Sequence, residues 1–499
     1  MVLCRRIVLG VTLYRTVTQE ISGMIRDGSL AAGDQLPSIR ALSQARKVSP
    51  ATVLKAYEAL EANGLIEARP RSGYYIRELR AHPMPPRTSR PKASSTRLAV
   101  SDFVFETLEA SRNREVVPLG SAFPSPMQFP WPKLARCLGS SARHLDPWST
   151  VESLPPGSVD LRRQIAKRYL GLGMSVGIDQ IVVTAGALEA LNLALQCVTR
   201  PGDTIAIESP TFYGCLQAAQ RLGLNVVEIP MHPTDGLDIE ALEAAIAKFR
   251  IRACWFMTTL QHPTGATLSP TRKAELVRLL ANHEIPLIED DAYSELQFAT
   301  KAEPPAKSFD RNGYVLHCGS FSKCLAPGYR LGWVAAGRYG EELSRRKMES
   351  SIATSLPVQQ GIAQMLRSGG YDAHLTRLRR RLAVSQRAAL ESLQRYFPPG
   401  FRVAAPRGGY FLWVECAAPV DSLDLHRRAL ESGISIAPGP IFSARQQFKN
   451  YLRLNTGHPW THTLTQAIQK LAQLLAGQIT VESELGKGST FRLLLPAIV

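Results

Sequence analysis

The stretch HCGSFSKCLAPGYRLGWV, residues 317–334, decides how the rest of the chain is read. Lys323 stands just after an apolar, strand-like run, with Ser320 three positions and Ser322 one position before it. Arg330 follows seven positions later, across Pro327-Gly328. Such a lysine suits an amine held in a pocket to form a Schiff base, with hydroxyls and a cation placed for a phosphate. One lysine on a loop would ordinarily be solvated, so the case rests on other segments agreeing with it in order.

Upstream, Ile181-Val182-Val183-Thr184 reads as a buried strand that turns through Ala185-Gly186-Ala187-Leu188 into a helix. Backbone N–H groups of Gly186, Ala187 and Leu188 at that helix start form an anion site that small residues let a ligand approach. Pro286-Leu287-Ile288-Glu289-Asp290-Asp291-Ala292-Tyr293 ends a second buried strand in two carboxylates, costly to bury unless one meets a cation. Strand-like and helix-like segments alternate from residue 99 to about 475, as expected of an α/β domain with a mainly parallel sheet.

Together these segments resemble class I aminotransferases, the pyridoxal 5'-phosphate (PLP) enzymes of fold type I, which have a large domain and a smaller C-terminal one. Leu154-Pro155-Pro156-Gly157 with Leu161-Arg162 resembles the family's entry segment, without the tyrosine that often precedes it. The resemblance implies a cofactor site made of Lys323 as the Schiff-base lysine, with Gly186, Ala187, Leu188, Ser320, Ser322 and Arg330 around the phosphate. It places Phe212, in Glu208-Ser209-Pro210-Thr211-Phe212-Tyr213, against the pyridine ring. Asp290 pairs with the ring nitrogen, and Tyr293 lies toward the phenolate oxygen. Asp291 is expected to cap or meet solvent. Gln261-His262-Pro263-Thr264-Gly265 matches the family's NPTG loop except that His262 replaces the usual Asn. Histidine also donates a hydrogen bond, but it is larger and can change charge near neutral pH. Arg453 falls where the family binds a substrate α-carboxylate, a group its planar fork suits.

Residues 1–98 hold 16 Lys and Arg against 7 Asp and Glu, about half of the formal +17 in a fifth of the 499 residues. Such a surface suits a polyanion, DNA above all. Leu13, Val17, Ile21, Met24 and Ile25 have helical spacing, and Ile39 to Leu42 opens a second helix. Ser49-Pro50 caps a third, in which Val53, Ala56, Tyr57 and Leu60 face inward. Residues 65–68 and 73–76 read as two strands. Three helices and a hairpin make a winged helix-turn-helix, and residues 28–76 resemble the DNA-binding domain of GntR-type regulators. The resemblance turns Arg40, Ser49, Thr52 and Lys55 to DNA, with Arg71, Ser72 and Gly73 in the wing.

The expected order is a winged helix over 12–78, a basic Pro-rich linker over 79–98, the PLP-binding domain over 99–475 and a tail over 476–499. The linker, with four prolines, five basic residues and no acid, reads as a solvated tether. The tail resembles the last hairpin of histidine-kinase ATP-binding domains. Arg379-Arg380-Arg381 reads as a solvated helix face. No metal site is indicated by the eight scattered cysteines, and no apolar run is long enough for a membrane helix, so the cytoplasm is expected.

A GntR-type winged helix joined to an aminotransferase-like domain resembles the MocR-type, PLP-dependent transcriptional regulators. That implies a homodimer that binds DNA and senses an amine or amino-acid effector. The competing readings are an aminotransferase with a DNA-binding appendage, slow or vestigial in turnover, and a regulator that senses PLP itself.

Overall fold

The computed structural model describes residues 13–26, 29–62, 65–69, 72–77, 83–92, 94, 96–97, 104–105, 109, 113–299, 302–417, 419–476, 479–484 and 488–493. They fall into two compact units that divide between residues 82 and 83.

In the first unit, α1 (Leu13–Arg26), α2 (Ile39–Arg46) and α3 (Pro50–Ala62) are followed by β1 (Ile66–Arg69) and β2 (Gly73–Ile76), an antiparallel hairpin. Ser38 caps α2 by accepting the Ala41 N–H, and Ser49 Oγ accepts the Thr52 N–H at the start of α3. Val17, Ile21 and Ile25 of α1 meet Leu42, Val53, Ala56, Tyr57 and Leu60 in one core closed by Ile66 and Ile76. Met24, expected on that face, is exposed. The Tyr57 hydroxyl is satisfied by donating to Pro37 O at 2.7 Å.

The second unit is built on a nine-stranded sheet. Its strands are β3 (Thr96–Arg97), β4 (Ile181–Thr184), β5 (Thr204–Ser209), β6 (Asn225–His232), β7 (Gly236–Leu237), β8 (Ile251–Phe256), β9 (Leu287–Asp291), β10 (Val315–Ser320) and β11 (Gly332–Ala335). The order is β3-β6-β5-β8-β9-β10-β11-β4, with β7 on β6. The centre from β6 to β10 is parallel, and β11, β4, β3 and β7 pair antiparallel. Central strands such as β9 are buried throughout, as a sheet covered by helices on both faces requires. Each parallel strand therefore delivers its last residues to one edge of the sheet, where α4 (Ala187–Val198) also begins. A smaller antiparallel sheet, ordered β12 (Arg402–Val403), β13 (Phe411–Glu415), β15 (Tyr451–Asn455), β14 (Ala437–Pro438), packs under the helix His462–Ala476. The tail forms a hairpin of β16 (Ile479–Glu484) and β17 (Gly488–Leu493).

Two surface expectations are corrected. Residues 83–92 and 94 are docked on the second unit: Pro86 and Ser89 are buried, and Ser89 bonds to β6. Prolines and charge exclude a core of its own, but an extended chain can still satisfy a sheet edge. Arg379 is half-buried and donates to Glu295 O at 2.7 Å, while Arg380 and Arg381 are exposed as expected.

Candidate functional site

The ends of β9 and β10 place Asp290 and Lys323 on neighbouring paths, since Asp290 is in register with Cys318. Lys323 is half-buried; its Nζ donates to Ala122 O at 2.9 Å and lies 4.2 Å from the Phe123 ring centre. Burial, then Arg453 and Arg330, bring its ammonium down to about 7, partly offset by Asp290. Asp290 is pushed up to about 7, first by burial and then by Asp291. Its Oδ1 is buried without a hydrogen-bond partner. The result is an amine of which roughly half is free base near neutrality, close enough to feel the charge of Asp290.

Asp291 does not meet solvent. It is buried, accepts the Ser294 hydroxyl at 2.6 Å and lies 2.8 Å from His317 Nε2. His317 Nδ1 meets the Tyr169 hydroxyl at 2.8 Å, which accepts from Trp333 Nε1 at 2.8 Å. One carboxylate of the pair is thus satisfied by a buried relay, and the other keeps one oxygen, Oδ1, without a hydrogen-bond partner.

Around Arg330 the chain closes tightly. Gly186, at φ 92°, precedes α4, and a Cβ there would lie 2.7 Å from Arg330 Nη2. A Cβ on Gly332 would lie 2.7 Å from Gly186 C and 2.9 Å from Ala187 N. Both glycines let the helix start and the guanidinium share one small space. Ser320 and Ser322 are buried beside it, their hydroxyls 3.0 Å apart. Leu188 turns its side chain outward, leaving only its backbone to the group.

His262 is wholly buried, with its ring 4.6 Å from Phe411, 5.5 Å from Phe212 and 6.0 Å from Tyr293. Arg453 Nη1 lies 2.9 Å from its Nε2. A guanidinium only donates, so Nε2 accepts and the imidazole proton sits on Nδ1, which is buried and unpartnered. Burial, then Arg453 and Lys323, push the imidazolium pKa well below the ordinary range. The expected change of charge near neutral pH is therefore corrected: His262 is a neutral donor. Arg453, on β15, is almost fully buried and faces the Phe411 ring at 4.5 Å. Its Nη2 donates to Gly120 O and Ser121 O, and its Nε is unpartnered. No described carboxylate forms an ion pair with it.

Sequence reasoning missed the loop 120–123. Its carbonyls hold both Lys323 and Arg453, and Asn455 Nδ2 fixes it by donating to Ser121 O and Phe123 O. The missed signal was Gly120, where a Cβ would lie 2.7 Å from the Ile436 backbone.

In the first unit Arg40, Ser49, Lys55, Ser72 and Gly73 are exposed and Thr52 is half-buried. The Ser49 and Thr52 hydroxyls lie 2.8 Å apart, and Lys55 Nζ lies 5.0 Å from the Tyr14 ring centre. The Ser72 hydroxyl meets the Tyr75 hydroxyl at 2.6 Å, and Gly73 turns the wing at φ 104°. Arg71 lies outside the described residues.

Residues 13–76 match the gntR family of bacterial regulatory proteins, and residues 143–471 match aminotransferase class I and II. The chain is 43% identical over 462 residues to the uncharacterized HTH-type transcriptional regulator YdcR of Escherichia coli K12, covering 93% of this chain and 98% of that one. It is 34% identical to YjiR of the same organism, over 93% and 98% of the two chains. The crystal structure of Pyrococcus horikoshii kynurenine aminotransferase, a complex containing PMP, matches with TM-score 0.69 and 26% identity over 76% of this chain and 95% of that one. The chain belongs to the GntR-family regulators that carry a class I aminotransferase domain, the MocR type. It is a DNA-binding transcriptional regulator, and among the described residues no helix is long and apolar enough to cross a membrane.

Aminotransferases of this fold depend on PLP or its amine form. The residues present fit that group. Asp290 Oδ1 and His262 Nδ1 are buried polar atoms lacking partners, the first suited to a cationic ring nitrogen and the second to a phenolate. Arg330 reaches the start of α4 at Gly186, near the hydroxyls of Ser320 and Ser322, and such a set of donors suits a phosphate.

Proposed function

We propose that the aminotransferase-like domain, residues 99–475, is a sensor that holds PLP and reports an amine or amino-acid effector to the winged helix of residues 12–78. Lys323 would hold the cofactor covalently, Ser320, Ser322, Arg330 and the backbone of Gly186, Ala187 and Leu188 its phosphate, and Asp290 its ring nitrogen. Tyr293 and His262 would face the phenolate oxygen, with Phe212 against the ring. PLP supplies an aldehyde that condenses with amines and a ring that withdraws electrons.

The observation that carries the reading is a set of mutually tuned groups, Asp290 and Arg453 buried and Lys323 half-buried. Lys323 and Asp290 both sit near 7, and Arg453 is a buried cation with an open Nε. A carboxylate on Arg453 would bring an effector's amine within reach of the Lys323 position and displace the carbonyls of residues 120 and 121. The pair would act within a cytoplasmic homodimer. On the DNA side, Arg40, Ser49, Thr52 and Lys55 would read the major groove, and Arg71, Ser72 and Gly73 an adjacent groove or phosphate.

The test titrates amines against the PLP-loaded protein bound to DNA selected from a random pool. A sensor changes its DNA affinity by a coupling of about 1–3 kcal/mol with at least one amine, and Lys323→Ala loses that response. Steady-state transamination with DNA affinity indifferent to every amine supports the enzyme reading, and a response to PLP alone supports a sensor of the cofactor.

A further inference from the structure

The basic segment that joins the two units is pinned to both sheets of the effector domain. Met84 O accepts the Val403 N–H at 2.9 Å, and the Arg87 N–H donates to Glu415 Oε2 at 2.8 Å. Arg87 Nε lies 3.4 Å from Glu415 Oε1, so the segment supplies the cation for a buried carboxylate. Val403 and Glu415 belong to the small sheet. Two residues later the partner changes. Ser89 N–H donates to Met231 O at 3.1 Å, and its Oγ accepts the Met231 N–H at 2.7 Å. Met231 lies in β6 of the large sheet, where Thr96 and Arg97 continue the pairing with Val226 and Asn225. Arg445 of the small domain adds a bond to Ser94 O at 3.1 Å.

Two residues of chain reach at most about 7 Å. Between Arg87 on one sheet and Ser89 on the other there is almost no slack, so a shift of Glu415 relative to Met231 either breaks an anchor or pulls the segment. The site straddles the same joint. Lys323, Asp290 and Arg330 belong to the large sheet and its loops, and Arg453 to the small one. Arg453 pairs with Trp413 and Tyr451 pairs with Glu415 in the same β13–β15 ladder. A ligand that ties Arg453 to Lys323 therefore acts on the strands that hold Arg87.

From this geometry we infer that residues 83–92, 94 and 96–97 form a strap that reads the angle between the two sheets and transmits it toward the winged helix. The inference rests on the sensor reading and names the part that carries its signal. Rupture of the Ser89 anchor uncouples the ligand site from DNA while leaving both intact.

The experiment uses the full chain loaded with PLP, aminooxyacetate as a probe carrying one reactive nitrogen and one carboxylate, and DNA selected by the wild type from a random pool. Hydrogen exchange of residues 83–92 and DNA affinity are measured with and without the probe. In the wild type the Arg87 and Ser89 amides are protected at rest, the probe changes that protection, and DNA affinity shifts by about fivefold or more. Ser89→Pro, which removes both the N–H and the hydroxyl, binds PLP and probe as the wild type does but shifts its DNA affinity less than about twofold. Ser89→Ala keeps the N–H, guards against misfolding of the proline variant, and lies between the two. A full DNA response in both variants overturns the strap alone. Wild-type DNA affinity indifferent to the bound probe overturns the sensor reading and the strap with it, and unprotected Arg87 and Ser89 amides in the resting wild type overturn the strap independently of any ligand.

Discussion

The two units handle charge in opposite ways. In the winged helix Arg40 and Lys55 stand in water on a small apolar core, and what they would offer DNA is reach and charge. In the aminotransferase-like domain Asp290, His262 and Arg453 are buried, and Lys323 is held among them with a strongly shifted pKa. Exposed charges act over a Debye length and are weakened by salt, whereas buried ones act at contact and are tuned by desolvation. A chain that binds a polyanion and, on the proposed reading, also holds a small reactive ligand would need both devices, and their separation into two units lets each be altered alone.

The largest effect expected is on the buried side. Borohydride treatment of the PLP-loaded protein should fix a pyridoxyl label on Lys323, found by peptide mapping. Lys323→Ala should abolish it while noncovalent PLP remains through Arg330 and the turn at Ala187. Label on another lysine would remove the assignment.

Salt should separate the units next. Raising salt from about 50 to 200 mM should weaken DNA binding by about 10³-fold if about six phosphates are contacted. PLP retention, measured on the same samples by absorbance, should change little, and equal sensitivity of the two would break the comparison.

A smaller step comes from Arg40→Ala, expected to cost about 1–3 kcal/mol of specific DNA binding with no change in PLP loading. Anisotropy titrations against selected and scrambled DNA distinguish base reading from general charge. A variant that binds selected DNA like the wild type would show that Arg40 faces elsewhere.

The pH response sharpens the buried side. A lysine reacts as its free base, and the fold lowers Lys323 from 10.5 to about 7. The rate of covalent PLP capture should therefore be nearly full above that value and fall as the pH drops through it. Asp290, also near 7, ionises over the same range and favours the ammonium, which broadens the transition. A midpoint near the ordinary lysine value would show that burial does not act on this amine. Least of all, His262→Asn, which keeps an N–H donor, should change PLP affinity by less than about tenfold. The change should not vary with pH near neutrality, since the imidazole is already neutral.

Much of this molecule was legible in one dimension because its signals are local. Ser49-Pro50 announces a helix start, the 3.6-residue spacing of Val53, Ala56, Tyr57 and Leu60 marks its inner face, and a buried strand ending in Asp290-Asp291 demands a partner for its charge. The order of the segments around Lys323, together with their likeness to a known family, carried the cofactor expectation further than any single motif. What remained illegible depends on residues far apart in sequence. Composition separates a chain that can build a core from one that cannot, but it does not reveal that an extended segment lies on a sheet edge, as Ser89 does on Met231 across 142 positions. Which of two adjacent carboxylates keeps an unpartnered oxygen was decided by His317 reaching Asp291, and the charge of His262 by its burial and then by Arg453, 191 positions away. Desolvation and pairing depend on distances in space, and only the tertiary structure sets those.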